Sequence, residues 1–242
     1  MTNQKRSTWT IAAMLCMSAS PASATTYVVN TLLDTPRVND TYAGCRDAER
    51  RCSLRAAIEA SNIRPGTDVI EFSVAGVIQI DSNLGTMILA DDPIIIKGQT
   101  APGYAGMGVD IGDAPPRVFL DGTGVTNGIG LGFLDGSSGS SVTALGVVNF
   151  SYVGILVNPG AEDIRFDSCY IGVGSSGLAA GNSFGFYIRG NDNKIGRYAG
   201  LTSAIPPVLG VVGRGNIISG NTQTGVWLES SGNVVGGNRI GT

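Results

Sequence analysis

Asp163, Arg165 and Asp167 alternate with Ile164 and Phe166 along one short run, DIRFD. On a strand, whose side chains point to opposite faces in turn, that spacing sets two carboxylates and a guanidinium together on the outer face. Carboxylates can ligate calcium and a guanidinium can pair with an acidic group, so the trio is the catalytic candidate of this chain. Any half-buried strand shows the same alternation. The expectation is therefore no cofactor, with calcium as the alternative. The chain has no histidine, which removes the usual general base and the commonest zinc ligand. No phosphate loop, nucleophile elbow or metal-spaced Cys/His pair occurs. Asp91, Asp92, Asp110 and Asp113 stand beside Gly and Pro, where aspartate forms turns.

A second constellation suits binding. A form made of Asn, then Gly, then three strand residues occurs at Asn149…GILV, Asn182…GFYI and Asn221…GVWL. If Ile155 and Val157, Phe186 and Ile188, and Val226 and Leu228 point inward, then Leu156, Tyr187 and Trp227 point outward. Asn158, Arg189 and Glu229 are the next outward positions. Rings flanked by polar groups grip sugars, because the flat apolar face stacks and the neighbours bond the hydroxyls. Tyr187, Trp227, Arg189 and Glu229 are the candidate binding residues. The competing expectation is that the rings only suit strands and lie beneath an insertion at residues 197–213.

The elements around these residues are short runs of Val, Ile, Leu and Phe closed by Gly, Asn, Asp or Pro, as in VIEF, VIQI, III and RVFL, which read as strands with turns. Residues 53–62, SLRAAIEASN, place Leu54, Ala57, Ile58 and Ser61 at helical spacing with Ser53 as the cap. NIISGN at Asn216 is echoed by NVVGGN at Asn233, and CYIGV at Cys169 by NRIGT at Asn238. Such repetition marks a solenoid, with Asn ladders bonding one turn of chain to the next. By the second echo Cys169 falls where Asn238 falls, inward and buried.

At the start, Lys5 and Arg6, an apolar run from Trp9 to Met17 and the triplet Ala22-Ser23-Ala24 have the layout of a secretory signal peptide cut after Ala24. No later run is long enough to span a bilayer, which takes ~20 apolar residues. Cutting leaves 14 of the 16 basic residues against 19 acidic ones. That balance excludes nucleic acid and anionic membrane surfaces as partners. Cys45 and Cys52 flank a polar stretch, and in an oxidising compartment they are expected to form a disulfide contributing at most ~2.5 kcal/mol.

CSLRAAIEASN at residues 52–62, followed by DVIEF, resembles the "CSLREAI" N-terminal motif of bacterial exported right-handed parallel β-helix proteins of the pectate-lyase-like superfamily, with Ala56 in the usual place of Glu. IKGQTAPGY from Ile96 is similar to a stretch that follows the motif in that family. The resemblance implies an all-β right-handed parallel β-helix whose motif helix covers the N-terminal end. The expected organisation is a signal peptide at 1–24, a cap at 25–67 and β-helix turns at 68–242, with further C-terminal turns in a longer protein. The implied function is an exported surface or extracellular module, non-enzymatic, that binds polysaccharides or protein partners or acts as a stalk. The alternative is a polysaccharide lyase or glycoside hydrolase whose site lies mainly in those further turns.

Overall fold

The computed structural model describes residues 24–38, 44–89, 93–105, 114–196, 198–201, 209–212 and 214–241. The expected signal peptide, apart from its last residue Ala24, and the turn aspartates Asp91, Asp92, Asp110 and Asp113 lie outside the described residues.

The protein is all-β, with strands gathered mostly in parallel sheets. Strand β1 (Thr26–Val29) precedes helix α1 (Leu54–Ser61). Three strands follow, β2 (Asp68–Phe72), β3 (Gly76–Gln79) and β4 (Met87–Leu89). The order then repeats as β5 (Ile94–Lys97), β6 (Val118–Asp121) and β7 (Ile129–Phe133), as β8 (Ser141–Thr143), β9 (Leu145–Val148) and β10 (Val153–Val157), and as β11 (Arg165–Asp167), β12 (Tyr170–Ile171) and β13 (Phe184–Ile188). Next come β14 (Lys194–Gly196), a hairpin β15 (Tyr198–Leu201) and β16 (Leu209–Val212), and then β17 (Ile217–Ile218) and β18 (Thr224–Leu228). Strands β19 (Val234–Gly236) and β20 (Arg239–Ile240) are the last.

Each circuit lays one strand on each of three sheets. The first sheet runs β1-β2-β5-β8-β11-β14-β19, the second β20-β17-β12-β9-β6-β3 and the third β18-β13-β10-β7-β4. Every pairing within these sheets is parallel, and the antiparallel β15–β16 pair forms the separate hairpin. Parallel strands cannot be joined by tight hairpins, so the intervening chain must travel around through the other two sheets.

Period-two alternation fills the space between the sheets. Ile155, Val157, Ile164, Phe166, Phe186, Ile188 and Ile218 are all fully buried. Phe166 meets Phe133 and Phe186 edge-on, at 5.5 and 5.1 Å between ring centres. Leu228, expected inward, and Val235 occupy the inward register beside Ile188 and Ile195 yet are 40% and 36% exposed, because they sit on edge strands.

Asparagines do bond circuit to circuit. Asn216 accepts the Cys169 amide at 2.8 Å and donates to Asn238 at 2.9 Å. Asn193 accepts the Ile164 amide, and Asn233 accepts that of Asn193. In the ladder ending Asn182–Asn221 the residue on the other side is Phe150, whose amide donates to Asn182 at 3.0 Å, and not Asn149 as the repeat suggests. Asn149 instead adopts a positive φ of 60° and bonds to Asp121. The seventeen-residue echo also needs correction. Asn216 leads into the second sheet and Asn233 into the first, so that motif recurs per bend and not per circuit.

Ser53 caps α1, its hydroxyl accepting the Ala56 amide at 2.9 Å. The helix packs on β1, β2 and β4. It is buried on nearly every side, Arg55 included, and not on a single face. Cys45 and Cys52 form a disulfide with Cα atoms 5.0 Å apart, immediately before that cap.

Candidate functional site: an aromatic platform on the third sheet

Leu156, Tyr187 and Trp227 occupy one register line across β10, β13 and β18. Parallel in-register strands lie ~4.8 Å apart, so equal positions on neighbouring strands bring flat side chains to stacking distance. The Tyr187 and Trp227 rings are 4.9 Å apart and inclined by 20°. Close approach of the strands depends on Gly185, where a Cβ would come within 2.5 Å of the Gly225 carbonyl.

Two further rings extend the stack. Phe184 lies 5.2 Å from Trp227 and 6.4 Å from Tyr187, and Tyr152 meets Phe184 edge-on at 5.9 Å. Trp227 is 41% and Tyr152 39% exposed. The sequence signal for Phe184 was its position just before the repeated Gly, and Tyr152 precedes Val153 in the same form. Strict alternation assigned neither ring a place beside Tyr187.

One end of the platform is polar. Glu229 accepts the Tyr187 hydroxyl at 2.7 Å and lies 3.6 Å from the Arg189 Nε, while the Arg189 guanidinium carbon sits 5.8 Å from the Tyr187 ring centre. That hydrogen bond holds the proton on Tyr187 and raises its pKa. Rings, carboxylate and guanidinium thus form one surface that is apolar in the middle and polar at its edge.

Asp163, Arg165 and Asp167 belong to the first sheet, on or just before β11. Asp163 is exposed, with its carboxylate 3.9 Å from the Lys194 amine. Arg165 is exposed, whereas Asp167 is half-buried, accepts the Arg214 amide at 2.9 Å and has its pKa pushed up to about 6 by that burial. The two carboxylates therefore engage different partners. Among the described residues no group of three or more His, Cys, Asp or Glu side chains is placed to hold a metal ion. Cys169 is fully buried, and burial pushes its thiol up to about 12. No described helix is long and apolar enough to cross a membrane.

Comparison with protein-family models, with curated proteins and with solved structures finds no match to this chain.

Proposed function

We propose that the three sheets are the faces of a right-handed parallel β-helix, and that the protein is an exported, non-enzymatic module that holds a polysaccharide on the outer face of its third sheet. The observation that carries the reading is the stacked Tyr187–Trp227 pair, extended by Phe184 and Tyr152 and edged by Arg189 and Glu229. Sugar rings present flat C–H faces that lie on aromatic rings, and their hydroxyls bond to charged neighbours. The constant order in which the chain visits its sheets and the asparagine ladders support the helical architecture. The Cys45–Cys52 disulfide suits an oxidising compartment.

Binding to a panel of neutral and acidic polysaccharides, followed by titration calorimetry on the tightest, tests this reading. Trp227→Ala should weaken binding about tenfold, the loss of one stacked ring, with little change in thermal unfolding. Absence of binding across the panel, or a Tyr187→Ala, Trp227→Ala double variant that binds as the parent does, overturns it.

A further inference from the structure

Asp68 opens β2 and is 1% exposed, a position where an ionised carboxylate is costly unless both oxygens are satisfied. Its Oδ1 accepts the backbone nitrogen of Thr25 at 2.7 Å. Its Oδ2 has no partner among the described residues. Among the described residues the buried carboxylate therefore has a single neutral donor, the Thr25 amide.

Thr25 is also the residue that follows Ala22-Ser23-Ala24, where the sequence places the cleavage site. We propose that removal of the leader converts the Thr25 nitrogen into an α-ammonium that forms a buried ion pair with Asp68, so that processing locks β1 onto the first sheet. The proposal rests on the export reading. In the cut, a signal peptidase adds water across the Ala24–Thr25 peptide bond. The hydroxyl goes to the Ala24 carbonyl carbon and a hydrogen to the Thr25 nitrogen, which takes up a further proton from solvent at neutral pH.

The surroundings fix the new terminus where it is needed. The Thr25 carbonyl accepts the Val69 amide at 2.8 Å, and β1 continues in register with β2 from Thr26 opposite Val69. An ammonium carries three N–H bonds in place of one, so it can serve Oδ1 and Oδ2 together, and it brings the opposite charge. The residue that departs, Ala24, is exposed, so cleavage removes no buried side chain at that position.

Four proteins of defined start test the pairing independently of export. The chain released from a fusion to begin at Thr25 is compared with one that retains Ala22-Ser23-Ala24, each with Asp68 and with Asp68→Asn. The Thr25 start should raise the unfolding temperature by about 3–6 °C, and the difference should vanish in Asp68→Asn. Equal temperatures for the two starts, or the same difference without the carboxylate, overturns the pairing. Should Asp68→Asn fail to fold, amine-reactive labelling of the folded parent proteins decides. The Thr25 α-amine should react about tenfold slower than that of the Ala22 start, and equal rates overturn the proposal. Mass spectrometry of the exported protein tests the reading beneath it. A first residue other than Thr25 rejects the processing step, whereas a Thr25 start with equal stabilities rejects only the ion pair.

Discussion

Arg55→Ala should loosen the start of the fold without touching the aromatic platform. The guanidinium donates from Nε to Asp34 Oδ1 at 2.8 Å and from Nη2 to Asp34 Oδ2 at 2.9 Å. It also reaches the carbonyls of Gly85 at 2.7 Å and Leu84 at 3.3 Å, so it ties α1 to chain on both sides of it in sequence. The side chains of Arg55 and Asp34 are 6% and 1% exposed. Truncation leaves the Asp34 charge with the Asp81 amide, at 2.9 Å, and strips a donor from two carbonyls. Breaking one side of such a buried pair costs about 3–5 kcal/mol. Even the lower figure is about a hundredfold in a local opening equilibrium. Amide hydrogen exchange reads that opening directly. The amides of Asn30 and Ser73, which bond to Cys52 and Val29, should exchange about a hundredfold faster, while those of β13 keep their rates. The penalty belongs to the orphaned charge, so Arg55→Met combined with Asp34→Leu should recover most of the protection. Exchange within about fivefold of the parent in Arg55→Ala, or a double variant no better than the single one, would refute the reasoning.

Two further perturbations probe other parts of the fold. Because burial raises the folded pKa of Asp167 to about 6, above the ~3.9 of an unfolded chain, its contribution is fully present below pH ~4 and is lost as the pH rises through about 6. Asp167→Asn should therefore be more stable than the parent at pH 7.5 and close to it at pH 4, and urea midpoints that differ equally at both pH values would contradict this. Asn182 is fully buried, accepts the Phe150 amide at 3.0 Å and donates to the Val147 carbonyl, which keeps the Gly172 amide as a second donor, so Asn182→Ala strands the Phe150 amide. A loss of about 1–3 kcal/mol is expected by chemical unfolding, and an unchanged midpoint would show that the ladder contributes nothing.

What the sequence determined was whatever depends on chemistry within a few residues. Side-chain alternation is a property of one strand, and it gave the inward places of Ile164, Phe166, Phe186 and Ile188 and the outward places of Tyr187 and Trp227. The Ser53 cap and the short Cys45–Cys52 loop were legible for the same reason. What only the tertiary structure decided was which residues become neighbours across circuits. The spacing from Ile155 to Phe186 is 31 residues and from Phe186 to Val226 is 40, because the bends differ in length and one carries a hairpin. With no fixed period to count, the sequence could not seat Phe150 beside Asn182, bring Tyr152 and Phe184 to the platform or bury Asp167. Nor could it set Arg55 against Asp34 and Asp68 against Thr25. Most of those contacts join residues that are distant in the chain, brought together by how the strands pair across the sheets and how α1 packs on them.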